Sequence, residues 1–222
     1  MNTLLIVNAD DLGYDPEIDR GLLEAHARGL VTAASAMVDT PFSERALREA
    51  PASLDLGLHV ALPDGATGER AQEEIARQLE RFVRLRGARP THLDSHRHAH
   101  ASAPALEEAF AAAARREELP LRAVDAAMRE RLRSLGVRTP DAFLGDAARF
   151  PCWTREALLA ALGALPPGVV ELMCHPGHAP SHARTRFGRE REVELAAFTD
   201  PAAREAVARA GAALGTYAAL AS

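Results

Sequence analysis

Residues 3–13, TLLIVNADDLG, decide the fold. Leu4, Leu5, Ile6 and Val7 are consecutive apolar residues, and polar and turn-forming residues follow them at once. A short unbroken apolar run of this kind is the pattern of a strand buried on both faces, as in a parallel sheet. We therefore expect a first strand over Thr3–Asn8. The turn after it reads ADDLGYD and lacks the GxGxxG spacing of a dinucleotide-binding loop, so a nicotinamide-binding Rossmann domain is not expected. Asp15 and Pro16 have the chemistry of an N-cap and first helical residue, and predict a helix to about Arg28 that Gly29 closes.

Outward from that unit, strands and helices alternate. Strands are predicted over Val31–Val38, Asp55–Leu62, Pro90–Asp94, Ala142–Leu144 and Val169–Cys174. Helices are predicted over Ser43–Ala50, Glu69–Arg86, Ala103–Glu117, Arg122–Leu135, Thr154–Leu165 and Pro201–Leu214. The helix over Glu69–Arg86 places Ile75, Leu79, Phe82 and Val83 at helical spacing. Such alternation implies an α/β fold with mostly parallel strands. A sheet of six or seven strands, closed or nearly closed into a barrel, is the first expectation, and an open doubly wound sheet the second. The length of 222 residues suits one domain spanning 1–222.

Composition removes several function classes. The net charge is −5 with no block of five or more like charges, which argues against nucleic acid as a main partner. All 26 basic residues are arginine. Schiff-base chemistry, including covalent pyridoxal phosphate, needs a lysine amine and is closed to this chain. Cys152 and Cys174 form no CxxC pair and read as small packed residues. No apolar stretch approaches the ~20 residues of a membrane helix. The N-terminus reads as a strand and not as a signal peptide, so a cytoplasmic protein with no transmembrane segment is expected.

The residues with chemistry gather where parallel α/β folds place their sites, at the carboxyl ends of strands. The first strand runs into Asp10 and Asp11. GLHVAL carries His59, THLDSHRHAH carries Asp94, His96, His98 and His100, and MCHPGH carries His175 and His178. Singly, each has a bland explanation: a helix cap, a satisfied core histidine, a surface tract, a turn residue. Together they put Asp or His from four strands on one rim, and burying that many titratable groups is costly unless they share a task or an ion. A carboxylate and two imidazoles can bind a divalent metal and leave positions for water and substrate. The ion would activate a water and polarise a carbonyl, a second carboxylate could take the water's proton, and a further histidine could protonate the leaving group. Asp10, Asp11, His59, His96 and His175 supply one residue for each of these roles, which points to a hydrolase.

Taken in order, IVNADDLG, GLHVAL, THLDSHRHAH and ELMCHPGH resemble the motifs of the YdjC-like carbohydrate deacetylases, a family that includes chitooligosaccharide and hopanoid-biosynthesis-associated deacetylases. The resemblance runs from about residue 2 to about residue 180. It implies a distorted (β/α) barrel related to the polysaccharide deacetylases, with one divalent metal: Mg²⁺ or Zn²⁺ first, then Mn²⁺, Co²⁺ or Ni²⁺. By position it implies Asp11, His59 and His96 as metal ligands, Asp10 as catalytic base and His175 as general acid. Asp94, His98 and His100 would support the ligands or face the substrate, with Asp94 a candidate partner for a ligand histidine's other nitrogen. The implied reaction removes an N-acetyl group from an amino sugar, glycoconjugate or glycolipid, and a homodimer is compatible with it. Trp153, Phe150 and Tyr14 are candidates to stack on a sugar. Only Pro63–Gly68 separates the third strand from the next helix, a shorter segment than family members usually carry, which predicts a shallower or differently shaped pocket. The competing expectations are a metal-dependent amidase or phosphoesterase and, from another class, a non-catalytic sugar- or metal-binding protein on the same barrel.

Overall fold

A computed structural model describes residues 3–145, 152–185 and 187–220 of the chain. Its centre is strand β1, Leu4–Leu12. The β1 side chains alternate: Leu5, Val7 and Ala9 join the main core beneath the helices. Ile6 points the other way and packs with Ala33 and Tyr217, and Asn8 and Asp10 sit on that same face two and four residues on, as strand periodicity requires. The inner face of the strand is thus apolar at its base and polar towards its carboxyl end.

Six further strands run parallel to β1: β2 (Ala33–Ala36), β3 (Asp55–Val60), β4 (Leu93–Ser95), β5 (Ala142–Leu144), β6 (Val169–Cys174) and β7 (Ala213–Gly215). Their order is β4-β3-β2-β1-β6-β5. One edge of β1 pairs with β6 from Leu4 to Ala9. Its other edge is shared, β7 pairing at Leu4–Ile6 and β2 from Asn8 onward. The curl brings the two ends of the sheet towards each other: Leu121 bridges to Leu93 of β4, and its N–H donates to Arg138 C=O, just before β5. This is the nearly closed, distorted barrel of the first expectation, and the open doubly wound alternative falls.

Helices cover the outside. In chain order they are α1 (Pro16–Arg28), α2 (Ser43–Glu49), α3 (Gly68–Arg86), α4 (Pro104–Arg116), α5 (Ala126–Ser134), α6 (Arg155–Leu162), α7 (Glu190–Thr199) and α8 (Pro201–Arg209). Asp15 caps α1 by accepting from Glu17 N–H at 2.9 Å, with Pro16 in the first turn, as its local chemistry predicts. Among the described residues no helix is long and apolar enough to cross a membrane.

Three expectations need correction. The first strand continues four residues past Asn8, with a register shift between Ala9 and Leu12 that accommodates Asp11 at φ 76°. The helix expected from Arg122 starts only at Ala126, because Asp125 caps it through a 2.7 Å bond from Met128 N–H; Arg122 is left to turn into the barrel. The closing helix stops at Arg209, Gly211 takes φ 66°, and the chain re-enters the sheet as β7. Helix α7 was not anticipated at all.

Helix α1 lies directly against the His175–His178 turn. A Cβ placed on Gly21 would lie 2.6 Å from the Gly177 backbone, and His178 N–H donates to Glu17 C=O at 3.1 Å. Backbone cannot yield as a side-chain tip can, so Gly21→Ala must push helix and turn apart. We expect a loss of about 1–3 kcal/mol in urea unfolding, as overpacking costs, together with reduced activity; a variant of unchanged stability would show that the contact is looser than its geometry.

Candidate active site

The polar end of the barrel is organised by a residue with no obvious sequence signature. Arg122, fully buried, faces three carboxylates. Its guanidinium holds Asp10 as a fork, at 2.8 Å to Oδ2 and 2.7 Å to Oδ1. It also reaches Asp94 Oδ2 at 2.8 Å and donates through Nε to Glu171 Oε1 at 2.6 Å. Burial opposes ionisation of Asp10 and Asp94, but the guanidinium outweighs it and both stay below the usual carboxylate range. Three acids share one arginine, and the deficit falls on Glu171, whose burial pushes it up to about 7.

Two elements supply the histidines. His59, at the end of β3, donates Nδ1–H to Asp94 Oδ1 at 2.7 Å, which turns Nε2 towards Asp11 Oδ1 at 3.4 Å. Burial disfavours a charged His59, but Asp94 and Asp10 override it and raise the ring to about 10; an ion at Nε2 would compete with that proton. His96 opens the 3₁₀ turn His96–Ala101 and brings Nδ1 to 3.1 Å from Asp11 Oδ1. Asp11 is held from behind: Arg191 on α7 donates to its Oδ2 at 2.5 Å. Burial works against the Asp11 carboxylate, yet Arg191 keeps it well below the usual range.

The adjacent aspartates therefore face different partners. Asp11, His59 and His96 offer ligand atoms all within 4.8 Å of one another, and their donor set of one carboxylate and two imidazoles fits a divalent ion. Asp10, His59 and Asp94 are as close. There, however, both acids already pair with Arg122.

His175, beyond β6, lines the same pocket as Asp10, Asp11, His59 and His96. Its ring stacks on Phe187, with centroids 4.8 Å apart and planes 12° from parallel. Burial pushes it down to about 4, so it is neutral at pH 7. The remaining candidates separate. His98 lines the pocket, and burial lowers it to about 4. His100 turns away into the protein, bonded through Nδ1 to Ser95 Oγ at 2.5 Å and packed against Phe110. Asp94 lies behind His59 and reaches no solvent. His178 is directed at Glu24, 3.6 Å away, outside the pocket. Tyr14 lines the pocket, whereas Trp153 is buried and donates Nε1–H to Met173 C=O at 2.8 Å. Phe150 lies outside the described residues.

The far wall of the pocket is Arg184, Thr185 and Phe187. Asp15 fixes the approach to this wall by accepting backbone N–H bonds from Ser181, His182 and Ala183. The short turn after β3 instead borders a neighbouring groove, which shares only His96 and Arg97 with the pocket.

Sequence reasoning missed Arg122, Arg191 and Phe187. None carried a signal: Arg122 fell inside an expected helix, and Arg191 within GREREVE looks like part of a solvated charge run.

The chain belongs to the YdjC-like protein family, which it matches over residues 4–72 and 65–209. It is 33% identical to a carbohydrate deacetylase of Geobacillus stearothermophilus, with 96% of each chain covered. It is 35% identical to a chitooligosaccharide deacetylase of Serratia marcescens, covering 98% of this chain and 99% of the relative. A solved protein of Enterococcus faecalis V583, provisionally described as acting in cellobiose-phosphate cleavage, superposes over 100% of both chains at TM-score 0.90 and 28% identity. A family 4 carbohydrate esterase of Streptomyces lividans shares the fold at TM-score 0.55 and 14% identity, over 96% of this chain and 92% of that one.

Two predictions follow from the electrostatics and the backbone. Arg122→Met strands its carboxylates in a dry barrel and should cost about 3–5 kcal/mol at pH 7. The wild type holds Asp10 and Asp94 down, so their contribution is present above their unfolded pKa of 3.8 and is lost as pH falls. Without Arg122 the same groups are raised, so the variant should gain more stability than the wild type between pH 7 and 5, a window in which Asp10 and Asp94 of the wild type stay ionised folded and unfolded and add no slope; thermal melts at pH 5 and 7 read the difference, and parallel slopes would refute the account. Arg97 and His98 are consecutive non-glycine residues at φ 57° and 52°. Left-handed backbone with a Cβ is strained, so Arg97→Gly should stabilise the fold by about 0.5–1 kcal/mol while raising KM, since the guanidinium leaves the pocket wall. A destabilised variant would mean that the turn is not strained.

Proposed function

We propose that this chain is a metal-dependent carbohydrate deacetylase that releases acetate from an N-acetylated amino sugar or glycolipid. The observation that carries the reading is the joint placement of Asp11, His59 and His96 as one ligand group with Asp10 and His175 around the same pocket. The names of the relatives from Geobacillus stearothermophilus and Serratia marcescens support the substrate class.

A divalent ion held by Asp11, His59 and His96 would polarise the acetamide carbonyl and lower the pKa of the attacking water. Two imidazoles in the set favour Zn²⁺ over Mg²⁺. Asp10, kept ionised by Arg122, takes the proton of the attacking water. Its Oδ1 already accepts from Asn8 and Arg122, so the remaining lone pair of Oδ2 is the one available. The fork of Arg122 keeps that oxygen from swinging away. As the C–N bond breaks, the departing nitrogen becomes strongly basic, and the His175 ring, neutral at rest, passes it the proton that Asp10 took from the water. Tyr14 and Phe187 offer ring faces to the sugar, and the half-buried His98 offers it a neutral imidazole edge. The free thiols Cys152 and Cys174 suit a reducing compartment, in keeping with the cytoplasm.

Replacing His59 or His96 by Ala tests the reading. Both variants should lose the bound metal, and acetate release from N-acetylated chitooligosaccharides should fall by about 10³-fold or more, as it should when a chelator strips the wild type. Full metal stoichiometry with normal turnover in both variants would rule out this ligand set.

A further inference from the structure

The two kinds of histidine in the pocket are aimed by different means. His59 has a carboxylate, Asp94, on its inner nitrogen. Neither ring nitrogen of His175 has a hydrogen-bond partner among the described residues. What restrains His175 is its backbone and its flat face. Its N–H donates to Glu194 Oε2, and its ring lies on Phe187.

Glu194 is a buried carboxyl on α7, 3% exposed. Both of its oxygens are taken by backbone: Oε2 by His175 N–H, and Oε1 by Trp153 N–H at 3.1 Å. Trp153 in turn donates to Met173 C=O, two residues before His175. The end of β6 is thereby clamped on both sides of Cys174 by one side chain and its partner. Arg191, one helical turn earlier on α7, grips Asp11 through its guanidinium and Phe187 C=O through Nε. One face of α7 thus holds the carboxylate on the metal side of the pocket and the histidine opposite it. A buried carboxyl is costly unless it is hydrogen-bonded, and the two N–H groups are met by two separate oxygens, which a glutamine, with one acceptor oxygen and a donor in place of the other, does not offer.

We propose that Glu194 is a positioning residue for proton delivery by His175, fixing the backbone from which that ring reaches the departing nitrogen. The inference rests on the deacetylase reading above, in which His175 carries the proton. Its signature is dependence on the leaving group. An amine cannot leave an amide without a proton, whereas 4-nitrophenolate leaves an ester without one.

The experiment compares Glu194→Gln, His175→Ala and the double variant, each loaded with metal and checked for metal content. The substrates are an N-acetylated chitooligosaccharide and 4-nitrophenyl acetate. Glu194→Gln should lower kcat on the amide by about 10–100-fold while KM, metal content and ester turnover move less than about threefold. His175→Ala should show the same split more strongly, and the double variant should be no worse than His175→Ala within about threefold, because the two residues act as one unit. Equal losses on amide and ester in Glu194→Gln, an unimpaired amide reaction, or additive losses in the double variant would overturn the inference and leave the deacetylase reading standing. The absence of any split in His175→Ala would remove His175 as proton carrier and overturn both. Glu194→Asp, which withdraws the carboxyl by one methylene, carries the same expectation as a second variant; failure of both to fold would assign Glu194 to the fold and not to His175.

Discussion

Arg122 is the interaction on which the rest depends. It sits at 0% exposure inside the curled sheet, binds Asp10 of β1, Asp94 of β4 and Glu171 of β6, and lies 5.5 Å over the ring of Phe143 in β5. A single guanidinium therefore ties together four strands at the level where chemistry is placed. Desolvating so many charges is expensive, and a hydrophobic plug would be cheaper for stability alone. The return is electrostatic: Asp10 stays ionised and oriented, and Asp94 stays ionised to hold His59.

That arrangement explains why the barrel is divided along its axis. Below Arg122, Ile6, Ala33 and Tyr217 close the base, and His92 stacks on Tyr217 at 3.6 Å. Beside it, Asn8 donates to Ser35, Ser35 donates to Asp94, and the chain of bonds leads to His59. The outer faces of the same strands bury Leu5, Val7, Leu56, Leu58 and Leu172 against the helices. Cohesion comes from the outer layer and orientation from the inner one.

Two adjacent aspartates can play separate parts because each meets its own arginine. The left-handed backbone at Asp11 turns its carboxylate away from that of Asp10, towards His59, His96 and Arg191. A regular strand would have placed the two side chains on opposite faces of the sheet. The irregular end of β1 keeps both at one pocket, and the strained Arg97–His98 turn does the same for His96 and His98.

The apolar run of β1, the alternation of strands and helices, and the Asp and His residues at strand ends were legible in the chain, because each is a local pattern governed by backbone periodicity. Element ends were less so: the start of α5 turned on a cap at Asp125, and β7 on the break at Gly211. The arginines and the glutamate that organise the site were illegible. Arg122 meets Asp10 across 112 residues, Arg191 meets Asp11 across 180, and Glu194 meets His175 through backbone alone. By itself, then, the sequence determined which residues could do chemistry and at which end of the sheet they stand. Only the tertiary structure decided which aspartate faces the histidines and which faces Arg122, since a long charged side chain has no periodicity and finds its partner by where the folded barrel leaves an unpaired charge.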